Sequence, residues 1–242
     1  MSATQTGSWS TGVPFSRREQ LIEVLVFLFL IGPSLALSFL PGGTSNISFA
    51  VEAIATILRD LALVALIFFF LWRNREAIGT IGWNARRFGV DILIGIVLFI
   101  PMFLGASWLE SFLVSIGFST PPPASGSGIT PSNTTVDIIL AVLLVMVVAV
   151  SEETIFRGYL IGRFSNILGS PVVALLLASV VFAIGHGYEG TAGVLTVGTM
   201  GLVFGIVYLW RKSLVAPMTM HFLQDFLAIV LAPLLTGGFI KM

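Results

Sequence analysis

A chain of 242 residues in which 56% are hydrophobic and only 10% charged, with a mean hydropathy of +1.02, carries more apolar surface than a soluble domain can bury. A formal net charge of zero gives no electrostatic case for nucleic acid as a partner. The lack of cysteine excludes disulfides, thiolate metal ligands and a cysteine nucleophile. What is left is an integral membrane protein with lipid as its first partner.

Residues 1–20 are polar and read as a cytoplasmic N-terminus, and the apolar run after them has no small-residue cleavage site that would mark a removable signal. Runs of about 20 apolar residues, enough to cross a core of roughly 30 Å, predict spans at 21–40, 49–72, 90–110, 136–161, 171–188, 195–210 and 214–235. Gly185, Gly187, Gly190 and Gly193 blur the boundary between the fifth and sixth, where an eighth, re-entrant element could lie. The expected fold is all-α, a polytopic transmembrane helix bundle of about seven spans.

The segment 119–135 contains Pro121, Pro122 and Pro123 followed by Gly, Ser and Thr, and reads as an exposed extracytoplasmic linker. It separates a three-span region, 21–118, from a four-span core, 136–235, and a tail follows at 236–242. Simple alternation places Arg17, Arg18, Arg73, Arg75, Arg86, Arg87, Arg163, Arg211 and Lys212 on one side. That side is expected to be the cytoplasm, with the N-terminus in and the C-terminus out.

Six polar residues interrupt the apolar core: Glu152, Glu153 and Arg157 in the fourth span, His186 in the fifth, and His221 with Asp225 in the last. An ionisable group at the bilayer centre costs roughly 2.5–3.5 kcal/mol, so three spans carrying such groups point to a shared polar site. Glu153 and Arg157 are four residues apart on one helix face, with the acid first, the better order for a pair. Glu152 is rotated by about 100° and left free of that arginine. His221 and Asp225 form a second i, i+4 pair.

A carboxylate and an imidazole sharing a water can take its proton and direct hydroxide at a carbonyl, while a second imidazole and a polar neighbour stabilise the oxyanion. Amide hydrolysis fits these parts. Glu152 is the expected general base, assisted by His186, because Glu153 is better placed for a structural ion pair with Arg157.

The same residues carry a resemblance. Glu152-Glu153-Thr-Ile-Phe-Arg157 resembles an EExxxR motif, Phe182-Ala-Ile-Gly-His186 an FxxxH motif, and His221-Phe-Leu-Gln-Asp225 an HxxxN/D motif, in the order found in the CPBP family of CAAX prenyl endopeptidases and bacteriocin-processing or Abi proteins. The resemblance implies an intramembrane peptidase with a water-filled cavity between the helices of the C-terminal core. It also implies that Glu152 and His186 activate water, that His221 and Asp225 form the oxyanion hole, and that Glu153 and Arg157 support the first motif. The implied substrate is a membrane-associated protein or peptide, or a prenylated one of the CAAX type. Where the family's eukaryotic-type members have Asn, this chain has Asp225, which when ionised only accepts hydrogen bonds. Asp225 must then be protonated, orient His221 or bind a cation.

Other readings use the same groups. His186, His221 and Glu152 could ligate a catalytic zinc with water in the fourth position, although no HExxH motif is present; the preferred mechanism needs no cofactor. A noncatalytic immunity or scaffold protein of the same fold would use the cluster for structure only. A transporter would use it as a proton relay. Phe182 is expected to be packing. Arg59 and Asp60, adjacent within the second span, are expected to pair each with a neighbouring helix, and Glu52, Asp91 and Glu110 to be hydrated near span ends.

Overall fold

Short polar residues start most of the helices. In this computed structural model, which describes residues 16–39, 48–120, 131 and 134–235, Ser16 accepts from the Glu19 amide while the Glu19 carboxylate accepts from the Ser16 amide, closing a capping box ahead of α1 (Arg17–Leu37). Ser48 caps α2 (Phe49–Arg73) by accepting from the Val51 amide alone, and α3 (Phe88–Ser115) follows a short 3-10 turn. Thr134 caps α4 (Thr135–Leu168), and Gly169, at φ 73°, takes the left-handed conformation that ends it. Ser170 caps α5 (Pro171–Ile184), with Pro171 at its first position, where a missing amide costs nothing. Helices α6 (Gly190–Arg211) and α7 (Val215–Leu235) complete the described chain. The first 15 residues, the turn Pro41 to Thr44, most of the linker and the tail 236–242 lie outside the described residues.

These seven apolar rods coincide with the expected spans, but they are not equivalent. Six helical stretches are long and apolar enough to cross a membrane, whereas α5 has only 14 residues. At 1.5 Å per residue it reaches about 21 Å, well short of a full crossing. Helix α1 already begins at Arg17, inside the polar N-terminal segment.

Helix α2 lies along α4, α3 along α7, and α5 packs against both the end of α4 and α6. The contact of α3 with α7 depends on Gly95, where a Cβ would fall 2.8 Å from the Ala216 carbonyl and 2.7 Å from Thr219. A small residue is what lets the two backbones approach.

The basic residues at one end of the bundle are not merely topological. Glu23 on α1 accepts from Arg73 Nη2 at 2.7 Å and from Asn74 at 2.8 Å, and Arg163 on α4 lies 3.3 Å from the same carboxylate while bridging to Glu76 at 2.7 Å. Asp91, expected to be hydrated at a span end, is instead buried and held by Arg211 at 2.8 Å. Both arrangements tie α1, α2, α3, α4 and α6 together at one membrane face by neutralising charge inside the structure.

Candidate active site

The first motif falls where the α4 backbone changes pitch. Residues Glu153–Leu160 form a π-helical segment, and a second one, Phe226–Leu231, begins immediately after Asp225. At the onset of the first, the Thr154 hydroxyl donates to the Val150 carbonyl at 2.7 Å and accepts from Trp83 Nε1 at 3.1 Å, so a side chain intrudes on the ordinary backbone ladder. Wide turns of this kind are costly and concentrate at functional sites. Both of them here adjoin carboxylates of the polar set.

Glu153 is wholly buried and sits at the centre. Its Oε1 accepts from Arg157 Nη1 at 2.8 Å and lies 2.8 Å from His221 Nδ1. Arg157, itself buried, also donates to the Gly201 carbonyl of α6 at 3.3 Å, and its guanidinium lies over the rings of Phe182, at 4.2 Å, and Phe204, at 5.1 Å. Gly201 admits the arginine because a Cβ there would come within 3.2 Å of Nη2 and 3.0 Å of Phe182. The i, i+4 ion pair read from the spacing is present, and it does more than clamp one helix: it reaches across to α7 and holds the histidine.

That contact fixes how His221 is used. With Arg157 holding Glu153 as an acceptor, Nδ1 carries the shared proton, and Nε2 is turned toward Glu152 Oε2 at 3.7 Å and Asp225 Oδ2 at 3.4 Å. The imidazole stacks on Phe204 at 5.5 Å and meets the edge of Phe182 at 6.0 Å. Phe204 was invisible to motif reading, since one more apolar residue in an apolar span gives no signal of its own.

His186 follows the end of α5, beside the 3-10 turn Gly187–Glu189. Its Nδ1 is 2.9 Å from the Phe182 carbonyl, which can only accept, so Nδ1 is the protonated nitrogen and Nε2 presents its lone pair. The ring lies 4.7 Å from that of Phe182 and 5.8 Å from that of Tyr188. One phenylalanine thus touches both imidazoles and the guanidinium. Because α5 stops short, the turn carrying His186 falls at membrane depth, where irregular backbone is tolerated only against protein or a water-filled cavity.

Burial divides the six residues into two groups. Glu153, Arg157 and His221 are packed inside, whereas Glu152, His186 and Asp225 each keep part of their surface open. Glu152 Oε2 and Glu153 Oε2 have no hydrogen-bond partner among the described residues. No group of three or more His, Asp or Glu side chains there is arranged to hold a metal ion, so the zinc set of His186, His221 and Glu152 is not assembled as a ligand cage.

Arg59 and Asp60 do not pair with separate helices as expected. Arg59 Nε donates to Asp60 Oδ1 at 2.9 Å, because a long arginine stem can fold back over the 100° that separates neighbouring residues.

Residues 134–227 match the family described as type II CAAX prenyl endopeptidase Rce1-like, a stretch that contains all three motifs. The chain is also similar to the membrane-embedded CAAX protease MroQ of Staphylococcus aureus (strain USA300), 33% identical over 86 residues, which cover 31% of each chain. The chain thus spans less than a third of the length of that curated relative. No solved structure matches. The ordered motifs converge on one cluster inside the stretch that the family matches, and both matches support a CPBP-like region over residues 134–227.

Proposed function

We propose that the protein is an intramembrane endopeptidase whose water is activated by Glu152 with His186 and whose oxyanion is stabilised by His221, oriented by Asp225. The observation that carries this reading is the fixed imidazole of His221, with Nδ1 on Glu153 at 2.8 Å and Nε2 aimed at the two partly open carboxylates. With both ring nitrogens protonated, the imidazolium keeps Nδ1–H on Glu153 and donates Nε2–H to charge developing on a carbonyl oxygen without reorganising. Glu152 has no hydrogen bond at Oε2 among the described residues and keeps an open face, as a base for water must, and His186 presents its Nε2 beside Phe182, the ring that also meets His221. Proximity of Asp225 Oδ2 to Nε2 favours the orienting role among the three open to an aspartate.

The substrate is a membrane-associated protein or peptide, with a prenylated CAAX-type chain as one form of it. Water is activated directly, with no metal and no other cofactor. The setting is a prokaryotic plasma membrane, with the N-terminus cytoplasmic, the C-terminus outside, and Arg73, Arg163 and Arg211 toward the cytoplasm.

Cleavage of a quenched-fluorescent peptide library by detergent-purified protein tests the proposal. Wild type should cleave, while Glu152→Ala and His221→Ala should lose activity without losing protein, and a chelator should leave the wild-type rate unchanged. Chelator-sensitive cleavage would move the mechanism to zinc. Folded variants that retain full function in cells would favour the immunity or scaffold reading.

A further inference from the structure

The α2 helix contributes a charged pair to the same depth. Phe49 and Ala53 of α2 pack in one cluster with Ala141, Leu144 and Val145 of α4, and Ile67, Phe70 and Leu71 pack in another with Ile155, Phe156, Tyr159 and Leu160. The two helices therefore run side by side in the same direction. Interpolating between the clusters brings residues 59 and 60 to within one helical turn of Glu152. Asp60 is accordingly within electrostatic reach of Glu152 and His221, and Arg59 within reach of Glu152 and Tyr188.

The two side chains have opposite exposures. That of Asp60 is 3% exposed and that of Arg59 48%. Asp60 Oδ1 engages Nε and Nη2 of Arg59, both at 2.9 Å, while Oδ2 is buried with no hydrogen-bond partner among the described residues. Arg59 lies ten residues into α2, about 15 Å along its axis, where a half-open guanidinium is costly unless it serves a polar cavity. The carboxylate pins one edge of the planar fork and leaves Nη1 free to bind a second acceptor. Arg157 cannot take that part, being buried and committed to Glu153, Gly201 and two aromatic faces.

We infer that Arg59, positioned by Asp60, anchors the C-terminal carboxylate of the peptide substrate at the α2 wall of the site. This rests on the peptidase reading for the identity of the ligand as substrate. A peptide carboxylate approaching Glu152 and Asp225 would meet like charge, and Arg59 supplies the compensating cation at the rim. A lipid phosphate offers the same chemistry to the guanidinium, so the test must separate the two.

Binding of a dye-labelled apolar peptide with a free C-terminal carboxylate is compared with that of its C-terminal amide by fluorescence anisotropy. The full chain is held in an uncharged maltoside detergent, and all proteins carry Glu152→Gln so that binding is read without turnover. The carboxylate peptide should bind roughly ten- to a hundredfold more tightly than the amide. Arg59→Gln should erase that preference while leaving amide binding unchanged, and Arg59→Lys should keep part of it. Equal affinities before the Arg59 change, a preference that survives Arg59→Gln, or loss of both peptides overturns the inference. So does displacement of added phosphatidylglycerol, but not of peptide, by the Arg59 change. A carboxylate preference without any Glu152-dependent cleavage would leave the anchor standing and sink the peptidase reading; Glu152-dependent cleavage without the preference would do the reverse.

Discussion

Adjacent glutamates should fail in opposite ways. Glu153→Ala removes the acceptor shared by Arg157 Nη1 and His221 Nδ1, each at 2.8 Å, and strands a guanidinium whose remaining polar contact is the Gly201 carbonyl at 3.3 Å. Breaking a buried ion pair from one side typically costs about 3–5 kcal/mol, because the surviving charge keeps its desolvation penalty and loses its partner. Glu152 makes no hydrogen bond at Oε2 and is 17% exposed at its side chain. Truncating an unsatisfied polar group releases a penalty as well as a contact, so Glu152→Ala should alter stability by no more than about 1 kcal/mol while abolishing cleavage. Removing both partners with Glu153→Leu and Arg157→Met should recover much of the stability lost by Glu153→Ala, since no buried charge is left unpaired. Unfolding of each variant in mixed micelles of rising sodium dodecyl sulfate fraction gives the free energies directly. Wild-type stability for Glu153→Ala, or additive losses in the double variant, would refute the assignment of Glu153 as the charge that organises the cluster.

Other substitutions report on separate parts of the argument. Gly201→Leu should destabilise by about 1–3 kcal/mol and slow cleavage, because even a Cβ there crowds Phe182 and Arg157; thermal unfolding beside a turnover assay reads both. Phe182→Leu should lower kcat more than it raises KM, since the ring bears on both imidazoles and on the guanidinium rather than on substrate alone, and the two constants from a peptide titration decide it. Glu23→Ala should cost about 1–3 kcal/mol in the same micelle unfolding assay, since Arg163 keeps Glu76 and Arg73 is half exposed, yet leave kcat unchanged, because Arg163 lies roughly 16 Å along α4 from Glu152.

The spans were legible because the membrane imposes one physical requirement, a run of apolar residues closing its own hydrogen bonds, and that requirement is written in composition alone. The polar set was legible for the complementary reason: an ionisable side chain in such a run is too expensive to be incidental. What the sequence withheld depends on where backbone and long side chains go. Both π segments lie in stretches whose residues read as ordinary helix, since the Thr154 hydroxyl that intrudes on the ladder could equally have faced a neighbour. A 100° rotation per residue separates Glu152 from Glu153 correctly, yet it cannot reveal that Glu153 would serve α7 as well as its own helix, because that contact spans 68 positions. The same rule misled at Arg59, where Cβ directions diverge but a flexible stem brings the guanidinium back to Asp60. Short side chains obey helical geometry closely and long cations do not, so facing rules predict where a carboxylate or imidazole stands better than what an arginine reaches. In this bundle that distinction separates Arg157, fixed inside the core by α6 and two rings, from Arg59, which is held on one edge and open on the other.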